Sequence, residues 1–186
     1  MSDLFVDNIK HQSSQGSGTI TLGASGETIT TASGAKFSGI TGQNYPAFYA
    51  NLSVSQSVSN NTLTKAQIDS ELFDTDNCYD NSTNYRFTPT VAGHYFVTGC
   101  ISGESGTNDS NQCTAAIHKN GSYYTNHNFS SSAIFRRFPC MTTAVVYMNG
   151  STDYIELFGS INSTGTSVEF NAGSKQTFFT AYRLGA

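Results

Sequence analysis

Two Asn-Gly pairs, Asn120-Gly121 and Asn149-Gly150, stand between stretches of alternating apolar residues, and this punctuation limits the fold more than any other feature. Asn and Gly tolerate positive φ, which a two-residue turn between twisted antiparallel strands requires. Cys113-Thr-Ala-Ala-Ile-His-Lys119 leads into the first pair. Met141 to Met148 leads into the second, and Asp153-Tyr-Ile-Glu-Leu-Phe-Gly159 follows it. Further strands are expected at Pro46–Ser55, with Phe48, Ala50, Leu52 and Val54 on one face, and at Tyr85–Val91, His94–Ile101, Ser167–Phe170 and Thr177–Leu184. Thr64–Phe73 alone has helical character, and a strand with an adjacent turn fits it equally well. Roughly eight to ten short strands without strand–helix alternation predict an all-β antiparallel jelly-roll sandwich, not a parallel α/β sheet.

Composition excludes several functions. Charged residues make up 12% of the chain and the net charge is −4, with Arg136-Arg137 the densest basic spot. Phosphate backbones need clustered cations, so no nucleic-acid partner is expected. No apolar run approaches the roughly 20 residues of a membrane-spanning helix, so no membrane partner is expected either. The 13 Phe and 10 Tyr, with no Trp, must supply much of the core. Cys78, Cys100, Cys113 and Cys140 lack metal-knuckle or redox-pair spacing and read as buried free thiols, with a Cys100–Cys113 hairpin link as the alternative.

The first 40 residues differ from the rest. Thr19-Ile-Thr-Leu22 and Thr28-Ile-Thr30 are short β-prone pieces among Gly and Ser, with too few apolar groups to bury a core alone. Such a segment either links flexibly or gains partners by winding with other copies. Residues 1–42 are therefore expected to be an extended β-rich arm or stem, and residues 43–186 a separate knob. Met1–Lys10 lacks a basic, apolar leader, so the expected place of synthesis and assembly is a cytoplasm.

Phe87-Thr-Pro-Thr-Val-Ala-Gly93-His-Tyr95 resembles the signature of the C1q/TNF-like superfamily: Phe, five residues, Gly, one residue, Tyr. Ala47-Phe48, His118-Lys-Asn-Gly121, Val145–Ile155 and Thr177–Tyr182 are similar to further family segments in order, so the resemblance spans about residues 45–186. It implies a jelly-roll head working as a homotrimer, with Phe87, Gly93, Tyr95, Phe178 and Tyr182 in core or trimer packing. On its own chemistry, Gly93 permits a tight turn or close backbone approach, and Tyr95 offers an apolar body with a polar tip suited to a protomer interface. The opening Ser2–Lys10 and the Gly/Ser/Thr-rich stretch after it are similar to the starts of bacteriophage virion proteins. That implies a fibre, knob or capsid-decorating protein attached to other virion proteins through residues 1–42 and able to contact a host-surface glycan or protein. A secreted C1q-like lectin or recognition module is the alternative.

Catalytic chemistry is not expected. The four histidines are scattered, and there is no Gly-x-Ser-x-Gly elbow, phosphate loop or His-Glu-x-x-His. Asp74, Asp76, Asp80, Asp109 and Asp153 are of the type that holds calcium, but without calcium-loop spacing they read as solvated turn residues and no cofactor is expected. Tyr123, Tyr124 and Asn126 follow the first Asn-Gly turn and read as part of an ordinary hairpin strand, with a saccharide- or protein-binding surface that combines aromatic area and adaptable hydrogen bonding as the alternative.

Overall fold

The structure, a computed structural model, describes residues 46–185 apart from 108 and 166. The expected arm, residues 1–42, lies outside the described residues. The described chain forms β1 (Ala47–Asn51), β2 (Gln56–Val58), β3 (Thr64–Lys65), β4 (Ser70–Asp74), β5 (Tyr79–Asp80) and β6 (Arg86–Phe87). There follow β7 (Gly93–Ser105), β8 (Ser110–Lys119), β9 (Ser122–Phe135), β10 (Arg137–Met148), β11 (Ile155–Ser163), β12 (Val168–Phe170) and β13 (Phe178–Gly185). Two antiparallel sheets result. The first runs β2-β12-β7-β13-β1-β4, with β10 paired along the other edge of β7; the second runs β5-β6-β11-β8-β9, with β3 also on β11.

Aromatic rings join the sheets. Phe48 on β1 stacks on Tyr79 at 4.4 Å and on Phe87 at 4.7 Å, and meets Phe179 edge-on at 5.3 Å. Tyr95 meets Phe87 edge-on at 5.7 Å. All five rings lie in the buried core. The two phenols need acceptors there. Tyr79 donates to the Ile68 carbonyl at 3.0 Å and Tyr95 to that of Val91 at 2.7 Å. Burial pushes the Tyr95 hydroxyl up to about 12.

Turn chemistry fixes the connections. Asn120 and Gly121 take φ of 53° and 75° and close the β8–β9 hairpin. Asn149-Gly150 does something different, because β10 and β11 belong to different sheets. Asn149 Oδ1 accepts the N–H groups of Ser151, Thr152 and Asp153 at 2.9–3.0 Å, and this cap turns the chain across the sandwich. Thr64–Phe73 contains β3 and most of β4 and no helix. Phe48, Ala50 and Leu52 share the core face as expected, whereas Val54 is 73% exposed because β1 ends at Asn51.

Gly93 has φ of 145°, and a Cβ there would lie 2.2 Å from the Gly185 carbonyl oxygen on β13. Close approach of β7 to β13 explains the glycine. Gly93→Ala is expected to destabilise the domain by on the order of 2 kcal/mol in urea unfolding, since both strand approach and backbone angle oppose a side chain.

Asp80 closes the turn between β5 and β6 by accepting the N–H groups of Ser82, Thr83 and Asn84 at 2.8–3.1 Å. These bonds, the one from Thr83 foremost, hold its carboxyl well below the usual carboxylate range. A carboxyl depressed by folding adds stability that is present above its unfolded pKa and lost as pH falls. The wild type should lose stability as pH drops below about 4, and Asp80→Asn should lose less over the same fall in urea titrations.

Candidate self-association face

Strand alternation gives the first sheet two faces, and only one meets the core. Register places the outward residues of β10, β7 and β13 side by side: Val145 beside Phe96 and Tyr182, Thr143 beside Thr98 and Thr180, Met141 beside Cys100 and Phe178. Tyr147 pairs with His94 at the end of this lattice. Beyond β13, Tyr49 and Phe73 continue the face across β1 and β4.

The outward aromatics already contact one another. Tyr147 meets His94 at 5.4 Å, Phe96 meets Tyr182 at 5.5 Å, and Tyr49 stacks on Phe178 at 5.5 Å. Much of the apolar surface still faces outward: Met141 is 53% exposed, Val145 and Tyr147 51%, Phe73 47% and Tyr182 40%. None of these residues carries a formal carboxylate, ammonium or guanidinium. Contiguous exposed apolar surface is a feature of interaction sites in general.

Charges gather at one end of the face. Glu104 is nearly buried and accepts from Arg137 Nε at 2.9 Å, with Arg136 Nε at 3.2 Å and Asn171 Nδ2 also on its carboxylate. The densest basic spot of the sequence is therefore spent on a neighbouring acid. Three further acids are held within the chain: Asp74 accepts from Tyr79 N at 2.7 Å, Asp109 from Ser163 Oγ at 2.7 Å, and Asp153 pairs with Lys119 at 2.8 Å.

The residues expected for packing divide in two. Phe178 and Tyr182 lie on the outward face. Phe87 and Tyr95 are fully buried between the sheets, and Gly93 is the close-approach point described above. Tyr95 thus cannot touch another protomer: its odd-numbered place on β7 turns it inward, and its hydroxyl is used within the chain. His94, Phe96, Met141, Val145 and Tyr147 are not among the residues expected at a site. Their signal is Met141-Thr-Thr-Ala-Val-Val-Tyr-Met148, which is largely apolar in both phases of the alternation, as in a strand covered on two sides.

The second candidate group is divided between Tyr123 and Asn126, which share a face, and Tyr124, which does not. Tyr123 is 53% exposed on the outer face of the second sheet and meets His118 at 5.6 Å, while His118 stacks on Phe158 at 4.1 Å. Burial pushes the His118 imidazole down, and Glu156 opposite it acts the other way. Asn126, beside Ala116, shares this face. Tyr124 falls in a register shift and donates its hydroxyl to the Val145 carbonyl at 3.0 Å.

No protein-family model and no curated protein matches the chain. Solved structures do. The globular domain of a zebrafish complement 1qA protein matches with a TM-score of 0.50 at 12% identity, over 75% of this chain and 97% of that one. Murine APRIL, in a crystal structure at pH 5.0, matches with a TM-score of 0.51 at 12% identity, over 74% and 99%. With the strand order above, these likenesses identify the fold as a C1q/TNF-like jelly roll.

Proposed function

We propose that the chain is a non-enzymatic subunit of a homotrimeric recognition or display head, in which the outward face of the first sheet packs against two further copies. The observation carrying this is the uncharged lattice of Phe96, Met141, Val145, Tyr147, Phe178 and Tyr182. Burying it releases water from several large side chains at once, each worth about 1.5–3 kcal/mol on full burial. The count of three comes from the sequence resemblance to trimeric heads, and the edge strand β10 supplies Met141, Val145 and Tyr147 to meet a neighbour's sheet.

In the same reading, residues 1–42 attach the head to a larger particle. The Gly/Ser/Thr-rich composition between residues 16 and 40 supports a bacteriophage virion as the setting, with the head projecting from the particle as a fibre tip or decoration. Tyr123 and Asn126 lie on the second sheet's outer face, opposite the proposed interface, where a host-surface glycan or protein could reach them. Recovery of the chain in gradient-purified phage particles supports this setting; its presence only as free protein in culture medium favours a secreted recognition module.

Sedimentation equilibrium at micromolar concentration is expected to give three times the chain mass. Val145→Asp places a carboxylate at the centre of the lattice, where burial without a partner is costly, and should shift the protein to monomer with unchanged strand content by circular dichroism. Tyr123→Asp, on the opposite sheet, should remain trimeric. A monomeric wild type overturns the proposal.

A further inference from the structure

Four cysteines lie buried, and all four are free thiols. Two of them face each other across the sandwich. Cys113 is on β8 in the second sheet and Cys140 on β10 in the first, and these strands come within 8 Å between Cα atoms. Packed sheets usually lie about 10 Å apart, whereas a disulfide needs Cα atoms about 4.4–6.8 Å apart. Small residues make the closer approach available here. A Cβ on Gly103 of β7 would sit 3.3 Å from Cys113 Sγ and 3.0 Å from Ile161 Cγ1, so the strands close on space that a side chain would hold.

The contacts of the two sulfurs are reciprocal. Cys140 Sγ donates to the His127 carbonyl at 3.1 Å, in the seam between β8 and β9, beside the amides of Ala115 and Phe129. Phe129 is the register partner of Cys113. Cys113 Sγ in turn lies 3.7 Å from the Ile101 carbonyl, and Ile101 is the register partner of Cys140. Each sulfur has crossed to the other's strand neighbourhood. The neighbouring Cys113 thiol first, and the amides of Ala115 and Phe129 after it, push the Cys140 thiol down from its ordinary value. Burial pushes Cys100 up to about 11 and raises Cys78 as well.

We propose that Cys113 and Cys140 form an oxidation-sensitive pair that closes to an inter-sheet disulfide, with hydrogen peroxide as the oxidant. The Cys140 thiolate attacks one peroxide oxygen; the O–O bond breaks, hydroxide leaves, and a sulfenic acid forms on Cys140. The Cys113 sulfur then attacks the Cys140 sulfur, forming the S–S bond and breaking S–OH. The Cys113 proton leaves with the hydroxyl as water, so two thiols and one peroxide give one disulfide and two waters. Peroxide is small enough to reach the pair through local opening of β9, an edge strand exposed along most of its length. The bond would tie β10, which carries the outward face, to the opposite sheet.

Treatment of the full native chain with peroxide, followed by alkylation and a non-reducing peptide map, tests this. The expected result is one cross-linked peptide pair containing Cys113 and Cys140, about 2 Da lighter than the two unalkylated peptides together, and reversed by a thiol reductant. Cys113→Ser and Cys140→Ser should abolish it, and Cys100→Ser should leave it intact. The wild-type map decides the pairing even where a variant fails to fold. A link through Cys100 or Cys78, sulfinic acid at Cys140 without a link, or unchanged cysteines at a peroxide dose that fully oxidises glutathione in the same solution overturns the proposal.

Discussion

Strand β7 is the constraint on which the rest of the structure depends. Its thirteen residues pair with β10 along one edge and with β13 and then β12 along the other. Every alternate side chain therefore belongs either to the core or to the outward face. Tyr95, Val97 and Ile101 point inward with no exposure. His94, Phe96, Thr98 and Cys100 take the other phase, and their neighbours on β10 and β13 are also uncharged. A sheet apolar on both faces is at ease only when both are covered. The second sheet covers one; further copies of the chain are the proposed cover for the other.

The two sheets are held by different means at different places. Around Phe48 the space is filled by stacked rings, with each phenol satisfied by a backbone carbonyl. Farther along β7, Gly99 and Gly103 replace bulk with proximity, the first against Leu157 and the second against Ile161 and Cys113. Large side chains hold one region and close backbones the other. This taper brings the Cys113 and Cys140 thiols together.

Much of this architecture was legible from residue order. The alternation at Phe48, Ala50 and Leu52, the hairpin at Asn120-Gly121 and the close backbone approach at Gly93 all follow from local chemistry. Other features required knowledge of which sheet a strand joins. Asn149-Gly150 carries the residues of a hairpin yet crosses between sheets, because the Asn149 side chain caps three successive amides. Tyr95 reads as an interface residue from its polar tip, but register turns it inward. The outward lattice stayed hidden for a related reason: Met141, Val145 and Tyr147 come together with Phe96 and Tyr182 only through pairings between residues far apart in sequence.

Oxidative footprinting of the assembled protein tests the covered face most directly. Brief hydroxyl-radical labelling read by mass spectrometry reports the exposure of individual side chains in the native state. With the first sheet's outward face packed against other copies, Met141, Tyr147 and Tyr182 should be protected while Tyr123, on the opposite sheet, is labelled. Labelling of Met141 and Tyr147 at the rate of Tyr123 would mean that the face is bare in solution, and would contradict the account.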